Sequence, residues 1–326
     1  MVMPMSNAPL VTVVGGSGFV GRYVAQAMAR RGWMVRVGCR RPNDAPFVMT
    51  YGTPGQVMPV QCNIRDEFST RAAIRGSDAV VNCVGVLAPS GKNTFAAVQA
   101  EGAARVARIA AEEGARRLVQ ISAIGAAEDS PGEYGRTKAA GEKAVREAFA
   151  DAVILRPSII FGNEDRFFNR FASIAMLSPV VPVVGGSTRF QPVWVVDVAS
   201  AAAKAAAGEV PAGVYELGGP TVYTFRELME LMLKAIRRRR FIVDIPLPVA
   251  RLQARLMRWL PSPPLTEDQV AMLGRDNVVA EGAQGFEAFG IRPSAPEAIV
   301  ESYLVGYRPY GQYNVLTEDR REDRFS

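Results

Sequence analysis

The sequence predicts a doubly wound α/β fold, in which helices cover both faces of a parallel β-sheet, with a smaller C-terminal lobe. Three observations carry this prediction. Short apolar runs alternate with helical patterns between residues 11 and 122, as they do in βαβ units. A glycine-rich turn follows the first apolar run directly. The chain of 326 residues is also long enough for two lobes around one sheet.

The first apolar run and its turn, VTVVGGSGFVG at residues 11–21, have the glycine spacing of a Rossmann domain that binds a dinucleotide. Gly15 permits the tight turn, Gly18 lets a pyrophosphate approach the backbone, and Gly21 lets the helix lie close to the strand. Backbone N–H groups at the helix start would hold the phosphates. These groups are expected around Ser17, Phe19 and Val20. A flexible surface loop is the alternative, but the flanking strand and helix favour the nucleotide site.

The helix that follows is expected over 18–31, with Gly32 as its left-handed cap. Val20, Val24 and Met28 recur at helical spacing, so we expect them to face the sheet.

The second strand, expected over 34–39, ends in Arg40 and Arg41 without an acidic residue. In a Rossmann domain this strand end meets the adenosine ribose. An acidic residue there binds the 2′-hydroxyl of NAD, whereas an arginine accommodates the 2′-phosphate of NADP. Because a guanidinium fork matches phosphate geometry, the sequence favours NADP(H) over NAD(H). A solvated basic turn is the alternative.

The same alternation predicts the rest of the architecture. Further strands are expected over 56–61, 79–83, 118–122 and 214–219, and further helices over 68–75, 95–113, 134–149 and 225–238. We divide the chain into a nucleotide-binding domain, residues 1–155, and a smaller lobe, residues 156–306, that returns some elements to the sheet. Residues 307–326 have little to bury, so we expect a tail that becomes ordered only on a partner.

The composition excludes several kinds of site. No histidine occurs in the chain, which removes histidine triads, histidine metal ligands and imidazole acid–base chemistry. The three cysteines, Cys39, Cys62 and Cys83, are far apart and odd in number, so we expect reduced, buried thiols and no metal site. The net charge of +6 is compatible with an anionic neighbour, and we expect no nucleic-acid partner.

A Tyr–Lys pair follows the fifth predicted strand, which ends at Ser122. Tyr134 and Lys138 are four residues apart on a predicted helix and therefore share a face. An ammonium group beside a phenol favours the phenolate, which makes the phenol a usable proton donor for carbonyl reduction. The lysine could also bind the nicotinamide ribose. An ordinary exposed pair is the alternative, but a pair placed after a Rossmann motif favours the functional interpretation.

At these residues the chain resembles the short-chain dehydrogenase/reductase superfamily, in its extended or atypical branch. The shared features are GGSGFVG, Asn63 with Ile64, Val84 with Gly85, Ser122, the Tyr134/Lys138 pair, and RPSIIFG at 156–162. The resemblance implies that Asn63 and Ile64 lie by the adenine, and that Val84 and Gly85 line the path to the nicotinamide. It also implies that Pro157 and Ser158 lie beside the nicotinamide. Ser122, Tyr134 and Lys138 are the candidate catalytic residues, although they could be vestigial.

Three further stretches resemble a narrower family, the nucleotide-binding accessory subunits of respiratory complex I. They are GNEDRFFNRFA at 162–172, QPVWVVDV at 191–198 and PPLTEDQV at 263–270, within a similarity that extends over about residues 10–307. The resemblance implies a structural subunit that holds NADP(H) as a stabilising ligand without turning it over. It also implies that the subunit's partners are other complex I subunits, mainly in the quinone-reducing part of the peripheral arm.

A free NADPH-dependent reductase acting on a small carbonyl or a sugar nucleotide remains the alternative function, because Tyr134 and Lys138 are both present. The subunit hypothesis predicts a peripheral protein on the cytoplasmic side of a bacterial inner membrane, or on the matrix side in mitochondria. Residues 1–9 lack the basic start and apolar core of a signal peptide, which favours the bacterial case. The uncharged apolar stretch 171–187 is short for a membrane span and is interrupted by two prolines, so we expect no transmembrane helix.

A basic amphipathic helix is expected over 249–260, after the arginine run 237–240. Its apolar stripe comprises Val249, Leu252, Leu256 and Leu260, and its basic stripe comprises Arg251, Arg255 and Arg258. Such a helix can lie on anionic lipid headgroups. The pattern favours a helix whose apolar stripe packs on the core while its arginines face water, because that arrangement is common in globular proteins.

Overall fold

The structure, a computed structural model, describes residues 8–257, 265–309 and 311. The chain divides into two compact units that alternate along the sequence. Unit 1 comprises the chain up to Pro157 together with Val195–Gly218 and Val279–Arg292. Unit 2 comprises Ser158–Trp194, Gly219–Val278 and the chain from Pro293 onwards.

Unit 1 is built on a seven-stranded parallel sheet with the strand order β11-β6-β5-β4-β1-β2-β3. Its strands are β1 (Leu10–Val14), β2 (Met34–Cys39), β3 (Val57–Gln61), β4 (Ala79–Asn82), β5 (Arg117–Ile121), β6 (Val153–Pro157) and β11 (Gly213–Leu217). The order reverses beside β1. In doubly wound sheets, ligands bind at the carboxyl ends of the strands at such a reversal. The prediction of a doubly wound parallel-sheet fold is confirmed.

The helices of unit 1 are α1 (Phe19–Arg30), α2 (Glu67–Ile74), α3 (Glu101–Glu112), α4 (Glu133–Ala148) and α6 (Val195–Ala206). Three of them, α1, α2 and α4, begin and end close to the positions that the sequence indicates, whereas α6 was not expected. In α1, Val24 and Met28 are fully buried as expected, whereas Val20 is half-buried. Gly32 follows this helix with a φ of 82°, in the left-handed region that glycine adopts without strain.

The helix expected over 95–113 differs in one respect, because it starts with a π-helical turn, Ala96–Ala100, before α3. This turn lies against α4, where a Cβ atom on Gly141 would come within 2.1 Å of the Gln99 carbonyl oxygen. The close approach therefore requires glycine at position 141. Periodicity could not predict the extra residue of the π-helical turn, because it depends on a contact with another helix.

Unit 2 contains short paired strands and five helices within the described residues. The strands are β7 (Ile160–Phe161), β8 (Val180–Val184), β9 (Arg189–Phe190), β10 (Val193–Trp194), β12 (Tyr223–Thr224) and β13 (Phe241–Ile245). The helices are α5 (Phe168–Leu177), α7 (Phe225–Ala235), α8 (Leu247–Met257), α9 (Glu267–Met272) and α10 (Pro296–Tyr303). β8 and β13 pair in parallel as a separate two-stranded sheet.

The stretch GNEDRFFNRFA organises the core of unit 2. Phe167, Phe168 and Phe171 join an aromatic cluster with Phe190 and Phe225, with ring centroids 5.0 to 6.4 Å apart. The distinctive aromatic residues of this stretch therefore serve packing.

The buried Asp165 holds the same stretch in place. Its carboxylate accepts hydrogen bonds from the backbone N–H groups of Gly162, Phe167 and Asn169, at 3.0 to 3.1 Å. The hydroxyl group of Tyr303, on α10, donates to the same carboxylate at 2.7 Å. Asp165 therefore fixes the loop before α5 and ties α10 to it.

The favoured interpretation of the basic amphipathic helix is wrong. In α8 it is Ala250 and Ala254 that are buried, whereas Val249, Leu252 and Leu256 are exposed. The sequence misled because an alanine pair gives a weak periodic signal beside larger apolar residues. Arg258, Leu260 and the start of PPLTEDQV lie outside the described residues, as does most of the predicted tail.

Candidate functional site

The glycine-rich turn lies at the carboxyl end of β1, between β2 and β4 in the sheet order. Gly15 has a φ of 77°, and its N–H group donates to the Gly38 carbonyl at 2.8 Å. A Cβ atom at Gly15 would come within 2.8 Å of the Val84 side chain. Both the backbone conformation and the space therefore require glycine here.

The other two glycines of the motif differ in the space around them. A Cβ atom on Gly21 would come within 2.3 Å of the Gly15 carbonyl oxygen, so this glycine is required for packing. At Gly18 the only described atom near such a Cβ is the same carbonyl oxygen, at 3.1 Å. Gly18 therefore faces open space in the protein, as a glycine in contact with a pyrophosphate would.

The first helix begins beside this space without a side-chain cap. Gly18 is its N-cap residue and has an extended backbone. The first N–H groups of a helix have no partner within the helix, and here these include Phe19 and Val20. With the positive end of the helix dipole they form an anion-binding site. The turn and the helix start at Gly18 are therefore the candidate position for the diphosphate of a dinucleotide.

Arg40 and Arg41 lie exposed after β2, the strand next to β1. Arg41 is 3.7 Å from the carboxylate of Asp44, on a short 3₁₀ helix that the sequence analysis did not consider. Arg40 makes no hydrogen bond or ion pair with any residue that the structure describes. Its guanidinium group is therefore the better placed of the two to receive a 2′-phosphate.

Sequence reasoning missed a third cation beside the glycine-rich turn. The Arg22 guanidinium group donates to the carbonyl oxygens of Ser17 and Gly18, each at 3.3 Å, and lies 4.9 Å from the centre of the Phe47 ring. Phe47 belongs to a 3₁₀ helix, Pro46–Tyr51, that follows β2. The sequence offers one signal for this cation, because Arg22 directly follows Gly21, the last glycine of the motif.

The residues expected by the adenine and on the path to the nicotinamide follow β3 and β4 at the same edge of the sheet. Ile64 is buried, and its carbonyl oxygen accepts a hydrogen bond from Arg105 at 2.7 Å. Asn63 accepts at its side chain from the N–H group of Arg65 at 3.2 Å. The side chain of Val84 lies against Gly15, as described above. A Cβ atom on Gly85 would lie 3.4 Å from the Lys138 ammonium nitrogen.

Tyr134 and Lys138 share a face of α4, with the ammonium nitrogen 6.0 Å from the centre of the Tyr134 ring. The ring also packs edge-on against Phe95, with centroids 5.9 Å apart. Lys138 is buried and donates to the Ile121 carbonyl at 3.1 Å. Burial lowers the pKa of Lys138 to about 8, against the opposing effects of Glu142 and Cys83.

The third candidate catalytic residue, Ser122, belongs to a buried polar network. Its hydroxyl group donates to the Glu142 carboxylate at 2.5 Å. Arg156 forms an ion pair with the same carboxylate at 2.6 Å and extends to Glu216 at 3.5 Å. Sequence reasoning missed Glu142, although its position one helical turn after Lys138 was a usable signal. This network occupies the hydroxyl group of Ser122.

Pro157 and Ser158 fall in different units. Pro157 ends β6, and its carbonyl oxygen accepts from the N–H group of Ile124 at 3.0 Å. The hydroxyl group of Ser158 is 2.8 Å from both oxygen atoms of Asn277, and it accepts from the N–H group of Gln191 at 3.2 Å.

Comparisons with known proteins identify the family. Residues 11–218 match the NAD dependent epimerase/dehydratase family. The chain is similar to NADH dehydrogenase (ubiquinone) 1 alpha subcomplex subunit 9, mitochondrial, of Arabidopsis thaliana. The two proteins are 35% identical over 316 residues, and the alignment covers 93% of this chain and 79% of the relative. The chain belongs to the subunit 9 family of complex I. The subunit 9 protein of Rattus norvegicus is 32% identical, over 92% of this chain and 81% of the relative.

Solved structures share the fold of this subunit 9 family member at low identity. An NADPH-dependent quinone oxidoreductase of Escherichia coli, complexed with NADPH, has a TM-score of 0.72 at 16% identity and covers 90% of this chain and 99% of its own. An enzyme of Bordetella bronchiseptica in complex with NAD+ has a TM-score of 0.68 at 17% identity and covers 94% of this chain and 100% of its own. The family and its structural neighbours support a nicotinamide nucleotide as the cofactor.

The described residues show neither a membrane-spanning helix nor a group of metal ligands. No described helix has the length and apolar character needed to cross a membrane. In the same residues, acidic and thiol side chains do not come together in a group that could hold a metal ion. Burial raises the pKa of Cys62 to about 11 and that of Cys83 to about 12.

Proposed function

We propose that the chain is an accessory, non-catalytic subunit of complex I that holds NADP(H) as a stabilising ligand. The observation that carries this proposal is the combination of an open phosphate site at Gly18 with an engaged Ser122, whose hydroxyl group donates to Glu142. A nucleotide can therefore be held, while one of the three candidate catalytic groups is occupied by the protein's own ion network. Subunit 9 relatives that match more than nine-tenths of the chain support the assignment to complex I.

NADP(H) is the form of nucleotide that we propose. Arg40 is exposed beside the site without a partner among the described residues, and Arg41 has only the carboxylate of Asp44 nearby. A guanidinium group in this place suits a 2′-phosphate. In the bound state, the turn from Gly15 to Gly18 and the helix start would contact the diphosphate, with Gly21 holding the helix close to the turn. Tyr134 and Lys138 would contact the nicotinamide ribose.

The proposed partners are other complex I subunits, mainly in the quinone-reducing part of the peripheral arm, and anionic lipid headgroups. The proposed location is the cytoplasmic face of a bacterial inner membrane, or the matrix face in mitochondria. The subunit would support assembly and stability of that arm.

A free NADPH-dependent reductase remains the second candidate. Tyr134 and Lys138 share a face at the site, and a ceramide reductase of Caulobacter vibrioides is 32% identical over 194 residues, 59% of each chain. Because the match to the ceramide reductase covers much less of this chain than the match to the subunit 9 protein of Arabidopsis thaliana, the subunit is favoured over the reductase.

Co-purification from the native membrane tests the assignment. We expect the tagged full chain, extracted in mild detergent, to migrate with the NADH- and quinone-reactive complex in native electrophoresis. A chain that is found wholly in the soluble fraction at low salt, without any complex I subunit, would overturn the subunit proposal in favour of the reductase.

A further inference from the structure

Large apolar side chains are exposed on one part of unit 2. Val249, Leu252 and Leu256 on α8 are 54%, 60% and 70% exposed, and Phe241 on β13 is 76% exposed. On the surface of a soluble protein, large apolar residues are normally scattered singly. These four residues instead come from two consecutive elements.

The apolar stripe of α8 points away from the protein. At about 100° per residue, Val249, Leu252 and Leu256 fall within a sector of about 60°. The buried pair Ala250 and Ala254 lies on nearly the opposite side of the helix. These alanines pack with Val184, Ile245 and other residues of a small cluster. The helix therefore packs against unit 2 through small residues, and its larger apolar residues are exposed to solvent.

The outer face of the β8–β13 sheet continues this apolar surface. Along β13, Phe241, Val243 and Ile245 alternate onto one face, while Ile242 packs into the core of unit 2 on the other. α8 packs at the Ile245 end of this face, and Phe241 and Val243 stay exposed at the other end. We call the exposed residues Phe241, Val243, Val249, Leu252 and Leu256 the apolar patch.

The segment that carries the apolar patch has a strong excess of basic residues. Residues 231–257 contain seven basic residues and one acidic residue, Asp244. Since the whole chain has 38 basic and 32 acidic residues, the other 299 residues carry 31 of each. The carboxylate of Asp244 is paired with Arg226. The segment that carries the patch therefore has a local net charge of +6 over 27 residues.

Three of these arginines are free to bind an external anion. Arg239, Arg251 and Arg255 are exposed and make no ion pair or hydrogen bond through their side chains with any described residue. Arg251 and Arg255 adjoin the apolar stripe on one side of α8. Arg238 and Arg240 instead donate to the backbone carbonyls of Tyr307 and Ala175, so they contribute to the fold.

We propose that α8 and the outer face of β13 form a membrane-docking surface for an anionic lipid bilayer. The apolar patch enters the interface between headgroups and acyl chains, and Arg239, Arg251 and Arg255 contact lipid phosphates. An outward apolar stripe flanked by arginines, without an acidic residue in the described helix, is the pattern of an interfacial helix. This inference rests on the proposed function only for the identity of the membrane that the chain would meet.

Vesicle binding by the full chain tests the docking surface. We expect sedimentation with phosphatidylcholine/phosphatidylserine vesicles at low salt, and much weaker sedimentation with phosphatidylcholine alone. Changing Arg239, Arg251 and Arg255 together to Gln is expected to weaken binding about 100-fold, at about fivefold per arginine. Leu252→Gln with Leu256→Gln, or Phe241→Gln, is expected to weaken it at least about tenfold. In about 1 M salt, where the Debye length is about 3 Å, only the apolar effect is expected to remain.

Matched variants on unit 1 distinguish an effect of this surface from the effect of losing any three arginines or any exposed apolar side chain. Arg30, Arg75 and Arg146 are similarly exposed, and Phe68 is 83% exposed. Changing these residues to Gln is expected to leave vesicle binding unchanged. NADPH affinity, measured on every variant, reports on the fold and on the cofactor proposal separately.

Two results would overturn the docking surface. One is that the full chain binds NADPH but does not bind anionic vesicles. Equal loss of vesicle binding in the patch variants and in the unit 1 control variants would count in the same way. The other is a set of patch variants that separate from complex I subunits in lipid-free detergent, because that would assign the surface to a protein partner. A chain that binds vesicles but never migrates with complex I would contradict the proposed function and leave the docking surface intact.

Discussion

At the scale of single residues, the nucleotide site depends on contrasts between neighbours of the same type. Gly21 is required by packing, because a Cβ atom there would lie 2.3 Å from the Gly15 carbonyl oxygen, whereas Gly18 faces open space. Arg41 lies 3.7 Å from Asp44, whereas Arg40 has no such partner among the described residues. These contrasts separate the residues that hold the turn from those that would meet the nucleotide.

The cofactor proposal predicts different losses for two substitutions. Arg40→Glu is expected to weaken NADPH binding about 10- to 100-fold, because a charge-assisted hydrogen bond is lost. NADH binding is expected to change little. Gly18→Val is expected to abolish both, since its side chain would fill the space of the pyrophosphate. Fluorescence titration with each nucleotide measures the losses, and Arg30→Glu is the control. Equal losses of NADPH and NADH in Arg40→Glu would contradict the assignment to NADP(H).

At the scale of elements, unit 1 could be predicted because its signals are local. Met34–Cys39 is a strand with the bounds that the apolar run indicated, and α1 differs from its expected range by one residue at each end. A parallel sheet buries both faces of its strands, so short apolar runs such as β4 stand out. The turn, its glycines and the Tyr–Lys spacing are likewise local patterns.

The features that the sequence did not indicate depend on long-range contacts. The hydrogen bond from Ser122 to Glu142 joins β5 to α4, and the position of Arg22 over Phe47 depends on how the chain after β2 folds back. The orientation of α8 was wrong because the small residues Ala250 and Ala254, rather than the leucines, face the protein. Periodicity locates an amphipathic stripe but does not say which face the rest of the protein covers.

The loop before α5 gives a prediction at this scale. Asp165→Ala is expected to lower the free energy of unfolding by about 3 kcal/mol, because three backbone N–H groups and the Tyr303 hydroxyl group lose a buried acceptor. Tyr303→Phe is expected to cost only about 1 kcal/mol. Urea unfolding measures both, with the exposed neighbour change Arg166→Ala as the control. An Asp165→Ala variant as stable as Arg166→Ala would show that this carboxylate does not organise the loop.

At the scale of the whole molecule, two properties are segregated along the sequence. The glycine-rich nucleotide site lies in unit 1, and the apolar patch lies in unit 2 within the strongly basic segment 231–257. A ligand that binds only the folded state stabilises it by about 4 kcal/mol at a thousandfold excess over its dissociation constant. A permanently bound nucleotide would therefore stabilise unit 1 whether or not it took part in electron transfer.

The nucleotide content of the isolated complex tests this account most directly. The complex would be purified through a tag on this chain, and its bound NADP(H) would be quantified in each redox state before and after many turnovers with NADH and quinone. If the nucleotide is a permanent ligand that does not react, we expect NADP(H) in the same amount and the same redox state at both times. Bound NADPH that is oxidised or released in step with quinone reduction would contradict it, as would a purified complex that contains this chain but no NADP(H).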